Sequence, residues 1–412
     1  MIHHQDPWLT IHAGDCRDVL RELAPDSVHC VVTSPPYWNL RDYGTARWEG
    51  GDPACDHVQH AANPQRGLPH AGANSPAAME RTMATRAVAE GTLYRGTCGR
   101  CGAVRVDHQL GLEATPELYV DAMVEVFREV RRVLRKDGTL WLNLGDTYAG
   151  RANMGRGQTS RRDRGDLLPS KPNSIGGGFR LKAKDLIGIP WRVAFALQAD
   201  GWYLRRDVIW NKPNPMPESV DDRPATSHEY LFMLTRSERY LYDAWAVRED
   251  AVGAAKRNRR SVWTIPTQQY LGAHFATFPE ALVEPCILAS TSERGTCSIC
   301  GAPWRRVVRT STPGRSWNGN TGGLQTGAAG ARGSGRQRKE GWVPDQPVQE
   351  TWRIACDHDA PPVPAVVLDP FGGTGTVGQV ANRRGRRAVL VDLNPEYLQQ
   401  QLRRANALPM GL

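Results

Sequence analysis

The feature that most constrains this chain lies near its end. Ala365–Asp369 reads as a buried strand and Phe371-Gly-Gly-Thr-Gly-Thr376 as a glycine-rich turn. Val377–Arg384 carries helical periodicity, and Arg387–Leu393 reads as a second strand. Strand, tight turn, helix and strand in this spacing make a βαβ unit, whose strands lie parallel and whose sheet must be covered by helices. Gly373-Thr-Gly-Thr-Val-Gly378 matches G-x-G-x-x-G between strand and helix, and Asp392 follows Asp369 by 23 residues. Glycines at such a turn let the backbone approach a ligand, and an acid at that offset can accept from ribose hydroxyls. The generic expectation is a nucleoside-containing cofactor. NAD is the first candidate by pattern, but the turn opens with Asp-Pro-Phe and only 34 residues follow Gly378. Both details favour a cofactor with one nucleoside and no pyrophosphate. The rest of the sheet has to come from earlier in the chain.

The earlier segments have the matching rhythm. Residues 1–50 read as strand, helix (Cys16–Leu23) and strand (Val28–Thr33). Thr115 suits an N-cap and Pro116 the first helical position. Val120, Met123, Val124, Phe127, Val130, Val133 and Leu134 then recur at helical spacing as far as Asp137-Gly138, and Thr139–Leu144 reads as a strand. A helix over 190–200 and a strand over Trp202–Asn211 follow, the strand stopping at Lys212-Pro-Asn-Pro-Met-Pro217. Tyr230–Thr235 and Tyr240–Asp243 read as a hairpin. The pattern predicts an α/β fold with a mostly parallel sheet, its core formed by 1–50, 113–294 and 361–412. Residues 51–112 and 295–360 read as insertions. Residues 149–182, with eight Lys/Arg against two acids, read as a basic mobile loop, and 309–341 carries six against one.

Lys and Arg total 52 against 43 acids, a net charge of +9 and a pI near 9.2. That surplus points to a polyanionic partner, nucleic acid first. The N-terminus lacks the pattern of a signal peptide, and no apolar run approaches the ~18 residues of a membrane span. The expected compartment is therefore the reducing cytoplasm. There the nine cysteines read as core residues, metal ligands or nucleophiles rather than disulfides.

Thr33-Ser-Pro-Pro-Tyr-Trp38 ends the Val28–Thr33 strand with two prolines and two aromatics. Thr33-Ser-Pro-Pro-Tyr37 resembles the catalytic motif of amino-group DNA methyltransferases, and Asp369-Pro-Phe-Gly-Gly-Thr-Gly-Thr376 resembles their S-adenosylmethionine motif. Catalytic motif first and cofactor motif last is the order of the permuted beta class of that family. Gly14-Asp-Cys16, Val133–Trp141, Gly201–Lys212, His228–Phe232, Trp263–Ile265 and His274–Pro279 are similar to further family segments, so the likeness spans about two-thirds of the chain. It implies a Rossmann-like methyltransferase sheet of about seven strands. It also implies that Asp392 holds the ribose hydroxyls, that Asp369, Phe371, Gly373, Gly375 and Thr376 face the methionine part, and that Phe278 and Pro279 line the same pocket.

An exocyclic amine on cytosine or adenine is a weak nucleophile because its lone pair is delocalised into the ring. Hydrogen bonds from its N–H groups to fixed acceptors draw that pair out of conjugation. Ser34 Oγ and the carbonyl of Pro35 are the natural acceptors. Proline has no N–H to compete, and the fixed φ of Pro35 and Pro36 stiffens the edge. The base has to leave the duplex, at a cost of a few kcal/mol, and stacking on Tyr37 can return ~1–3 kcal/mol. Within the family, Ser-Pro-Pro-Tyr leans to cytosine N4 and Asp-Pro-Pro-Tyr to adenine N6. The expected activity is site-specific N4-cytosine methylation of double-stranded DNA, of the restriction-modification or phage kind, with N6-adenine as the alternative. A zinc-stapled DNA-binding protein with an inactive core is the alternative from another class, and a homodimer is compatible with the sequence. Pro285-Cys286, the one dipeptide suited to carbon-5 chemistry, lies in an apolar helical stretch and reads as core.

Gly96-Thr-Cys-Gly-Arg-Cys-Gly-Ala103 and Gly295-Thr-Cys-Ser-Ile-Cys-Gly-Ala302 form a short internal repeat, and Cys55-Asp-His57 is echoed by Cys356-Asp-His358. C-x-x-C lets two thiolates take adjacent corners of a tetrahedral metal. Two Cys3His sets result, for two structural zinc ions: Cys55, His57, Cys98 and Cys101, then Cys297, Cys300, Cys356 and His358. The spacing leaves the crossed pairing open, as well as His60 or His108 in place of His57. Methyl transfer needs no activated water, which argues for a structural role. Cys16, Cys30 and Cys286 read as core.

Overall fold

The computed structural model describes residues 1–40, 45–55, 98, 100–149, 182, 184–251, 256–268, 278–310 and 347–406. Nine strands form one sheet: β1 (Ile2–Gln5), β2 (Leu9–Ala13), β3 (Val28–Thr33), β4 (Leu134–Leu144), β5 (Tyr203–Asn211), β6 (His228–Thr235), β7 (Val262–Thr264), β8 (Val366–Asp369) and β9 (Arg387–Asp392). Their spatial order is β1-β2-β9-β8-β3-β4-β6-β5-β7. The run β2-β9-β8-β3-β4 is parallel, β6 is antiparallel to both its neighbours, β7 is parallel to β5, and β1 is antiparallel to β2. The expected count of about seven strands omits the edge strands. β1 and β7 hold four and three residues, too few to show a period in sequence.

Among the described residues, six helices cover the sheet: α1 (Cys16–Glu22), α2 (Pro116–Val133), α3 (Ile189–Ala199), α4 (Glu280–Ser290), α5 (Thr376–Arg383) and α6 (Pro395–Asn406). Side chains alternate along the strands. On β4, Leu140, Leu142 and Leu144 face one core with α1, α2 and α3, and Trp141 faces the other with α4, α5 and α6. On β8, Leu368 joins the first core and Val367 the second. Both faces are covered, as a parallel sheet requires. Thr115 caps α2 as expected, its hydroxyl accepting from Leu118 N at 3.2 Å.

Two local expectations differ from the structure. Asp137-Gly138 does not end α2, which stops at Val133. These residues sit in an irregular stretch of β4, where the register with β3 jumps from Val28 opposite Leu134 to Cys30 opposite Thr139. A Cβ on Gly138 would lie 2.9 Å from the backbone oxygen of His29 on β3 and 2.5 Å from Leu134 Cδ1, so that crossing favours glycine. Tyr240–Asp243 forms no strand. β6 pairs instead with β4 and β5, because its run Leu231–Thr235 is buried and fits between two strands rather than in an exposed hairpin.

The chain leaves β3 through α2 to β4 and leaves β8 through α5 to β9, and these crossovers lie on opposite faces. The carboxyl ends of β3 and β8 therefore flank the topological switch point, where open α/β sheets form their ligand crevice. None of the helices among the described residues is long and apolar enough to cross a membrane. Most of the basic loop over 149–182 and most of 309–341 lie outside the described residues.

Candidate active site

Ser34 follows the end of β3 and the glycine turn follows the end of β8, so the sheet brings the two sequence motifs together. One bond ties them: Thr33 Oγ1 donates to Asp369 Oδ1 at 2.6 Å. Phe371 N donates to the same oxygen at 3.1 Å. Asp369 is buried, and burial pushes its carboxyl up to about 7 despite those two bonds. Asp392, at the end of β9, is likewise pushed by burial to about 7. Its Oδ2 accepts from Gly373 N at 2.7 Å and its Oδ1 from Asn394 N at 2.8 Å.

The turn between them needs its glycines. Gly375 has φ +83°, and a Cβ there would lie 3.1 Å from Gln401 Cα on α6. Gly373 has φ +47°, and a Cβ on it would meet nothing nearer than Phe371 O at 3.8 Å, which leaves the turn open on its outer side. Gln401 Nε2 donates to Gly373 O at 3.0 Å, and Arg404 Nη1 donates to Thr374 Oγ1 and Thr376 Oγ1, both at 3.1 Å. Open backbone beside two carboxylates fits the polar half of S-adenosylmethionine. Pro279 caps α4, and Phe278 packs against the second core. The next residue, Glu280, pairs with Arg383 at 2.6 Å and with Arg404 at 3.4 Å, which ties this segment to the glycine turn.

The loop that carries Ser34–Tyr37 is braced from behind. Tyr119 Oη donates to Pro36 O at 2.8 Å, Trp38 Nε1 to Glu113 O at 2.9 Å, and Asn39 N to Gly111 O at 2.8 Å. Gly111 has φ +93°, and a Cβ on it would lie 2.9 Å from Tyr37 O. A Cβ on Gly145 would lie 2.5 Å from Tyr37 Cε2. Pro35 is buried and Ser34 half-buried.

Around Tyr37 the structure adds residues to which sequence reasoning gave no role. Tyr37 Oη donates to Glu229 Oε2 at 2.7 Å and lies 3.1 Å from Asn143 Oδ1. Asn143 Nδ2 donates to Glu229 Oε2 and to Tyr230 O, both at 3.1 Å. Lys212 pairs with Glu229 Oε1, and its ammonium lies 4.3 Å from the centroid of the Trp210 ring. Burial, then the Glu229 charge, holds the Tyr37 hydroxyl well above its usual range, so it stays protonated. The available signal was a lone charge at each of two strand ends, Lys212 just past β5 and Glu229 at the start of β6.

The cysteine repeat is also a structural repeat. Cys98 N donates to Ala103 O at 2.6 Å and Gly102 N to Cys98 O at 2.9 Å. Cys297 N donates to Ala302 O and Gly301 N to Cys297 O, both at 2.8 Å. Gly102 and Gly301 have φ +74° and +68°. Cys297, Cys300, Cys356 and His358 present four ligand atoms within 4.8 Å of one another, as do three from Cys55, Cys98 and Cys101. Cys55 Sγ lies 3.8 Å from Cys98 Sγ, and Cys297 Sγ 3.8 Å from His358 Nδ1. A tetrahedral zinc with bonds of about 2.3 Å sets its sulfurs roughly 3.8 Å apart. His57 and His60 lie outside the described residues, and His108 does not join the first group. The second turn is fixed to the core: Arg135 Nη1 donates to Cys300 O at 2.6 Å, and His29 Nε2 to Gly301 O at 3.1 Å. Cys16, Cys30 and Cys286 are buried.

Comparison with known proteins gives this geometry a family. The N6_N4_Mtase family, described as DNA methylase, matches residues 28–298 and 362–403. The type II methyltransferase M.Cfr9I of Citrobacter freundii is 36% identical over 96% of this chain and 89% of its own length. M.XycI of Xanthomonas campestris pv. cyanopsidis is 37% identical over 94% and 85%, and M.SmaI of Serratia marcescens 33% identical over 94% and 87%. The matched segments contain both motifs that meet at the switch point, Thr33–Tyr37 and Asp369–Thr376. The chain belongs to the N6/N4 DNA methylase family and is an S-adenosylmethionine-dependent DNA amino-methyltransferase of the restriction-modification type.

Proposed function

We propose that the chain methylates the exocyclic N4 amine of cytosine, flipped out of duplex DNA. The observation that carries this reading is the Thr33–Asp369 bond, which sets Ser34 and Pro35 beside the cofactor turn. When bound, S-adenosylmethionine supplies an electrophilic methyl group on a sulfonium. Asp392 would accept from its ribose hydroxyls, while Asp369 and the Phe371, Gly373, Gly375 and Thr376 turn would face its methionine part. Phe278 and Pro279 would close the same pocket. Ser34 Oγ and the Pro35 carbonyl accept from the target amine and draw its lone pair out of the ring. Pro36 stiffens that edge, and the Tyr37 ring offers the base a face. A serine at the head of the motif supports cytosine N4 over adenine N6. The order of the motifs supports the permuted beta class.

The test uses purified protein, duplex DNA and S-adenosylmethionine labelled in its methyl group. Label retained on cytosine after digestion is expected. Labelled adenine would overturn the choice of base, and unlabelled DNA across varied sequences would overturn the activity.

Two structural zinc ions accompany this reading, one per cysteine turn, with His57 completing the first set. They would hold insertions with little apolar surface of their own. Elemental analysis is expected to give two zinc ions per chain. Cys300→Ser with Cys356→Ser should remove one and lower the melting temperature, because that turn is anchored to Arg135 and His29. Well under two ions in the wild type would contradict the assignment. The Lys256–Arg260 run is a candidate DNA contact. Arg257 and Arg260 are paired there with Glu249, so phosphate would have to compete for them.

A further inference from the structure

Glu229 lies two hydrogen bonds away from the atom that meets the substrate, and the direction of those bonds is fixed. Its Oε1 is taken by Lys212, which leaves Oε2 for Tyr37 and Asn143. The single phenolic proton of Tyr37 faces two acceptors, Glu229 Oε2 at 2.7 Å and Asn143 Oδ1 at 3.1 Å, and the shorter, charge-assisted bond to the carboxylate takes it. Tyr37 Oη then presents lone pairs to Ser34, whose hydroxyl donates to it at 3.3 Å. With its proton directed inward, Ser34 Oγ turns both lone pairs outward. Asn143 holds the carboxylate in place, since its amide donates to both Glu229 Oε2 and Tyr230 O.

We propose that Glu229 is a positioning residue for methyl transfer: through Tyr37 it sets Ser34 as an acceptor toward the target amine. This rests on the reading of Ser34 as the amine acceptor. Without the chain, the Ser34 hydroxyl can rotate its proton into the pocket, where it meets an amine N–H as donor against donor. A chain ending on a charge also polarises each bond along it, which strengthens Ser34 as an acceptor. The Tyr37 ring is held by the same bond, so one carboxylate orients both the acceptor and the stacking face.

A double-mutant cycle tests this. Glu229→Gln can donate to Tyr37 and reverse the chain, and Tyr37→Phe cuts the chain but keeps the ring. Each is expected to lower kcat about 10- to 100-fold, the range of one charge-assisted hydrogen bond, with KM for DNA and cofactor affinity within about twofold. The combined variant should be no slower than Tyr37→Phe alone, because Glu229 acts only through that hydroxyl. Lys212→Met with Glu229→Gln avoids leaving a buried ammonium unpaired, and should show the same loss of kcat at near-native melting temperature. Unchanged kcat in Glu229→Gln would overturn the proposal, as would effects that multiply in the cycle. Loss of rate in step with melting temperature and cofactor affinity in both Glu229 variants would reduce Glu229 to a structural role and overturn it too. Ser34→Ala separates the two levels. If that variant stays active, the reading of Ser34 fails. If it is inactive while Glu229→Gln is normal, only the chain fails.

Discussion

Replacing Ser34 by alanine is expected to lower DNA methylation by at least ~10²–10³-fold while leaving S-adenosylmethionine affinity nearly intact. The side chain is half-buried at the end of β3 and hydrogen-bonds Tyr37, while the bond between β3 and Asp369 comes from Thr33. Losing the hydroxyl removes one of the two acceptors proposed for the amine and leaves the loop's braces at Tyr119, Glu113 and Gly111 in place. Single-turnover methylation and cofactor titration on the same preparation check this. A parallel loss of cofactor binding would assign Ser34 to the other half of the site.

The second large effect is expected at Asp392. Replacing it by alanine removes the acceptor proposed for the ribose hydroxyls and also frees the N–H groups of Gly373 and Asn394 that shape the turn. Cofactor affinity should fall roughly 100-fold or more, the scale of two charge-assisted hydrogen bonds. The wild type should show a pH dependence with a defined sign. Burial raises Asp369 and Asp392 to about 7, so both are largely protonated at pH 6 in the free protein. Carboxyls raised in this way favour the free fold most below their unfolded pKa of about 3.9, and that stability is lost as pH rises through about 7. Hydroxyl donors favour the ionised form, so cofactor affinity should rise between about pH 6 and pH 8. The rise should be smaller in Asp392→Asn. Affinity flat across this range would contradict the role of the buried carboxylates.

Much of this site was legible because it is written in backbone chemistry. Proline can end β3 and glycine can turn after β8, and short continuous apolar runs mark these strands, which are buried on both faces. The switch point then places the two ends together without further information. The partners that complete the site are different in kind. Tyr119, Asn143, Lys212 and Glu229 are ordinary residues on α2 and at or near the ends of β4, β5 and β6, and their meeting depends on β6 pairing with β4 and β5. A hairpin reading of Tyr230–Asp243 sends that strand elsewhere and loses the network. The bulge at Gly138 was hidden for a related reason. Asp-Gly can stop a helix, and the close approach of Gly138 to His29 O and Leu134 becomes visible only in the fold. The cysteine turns were readable as a repeat, because two copies of one spacing carry the same hydrogen bonds.

The most direct measurement is mass spectrometry of nucleosides from DNA of cells expressing this protein, beside an empty-vector control with known background methylation. N4-methylcytosine above background, absent from cells expressing Ser34→Ala, is the expected result. N6-methyladenine above background would keep the fold and the amine chemistry but contradict the choice of cytosine. An unmodified nucleoside pool would contradict methyl transfer to DNA by this site.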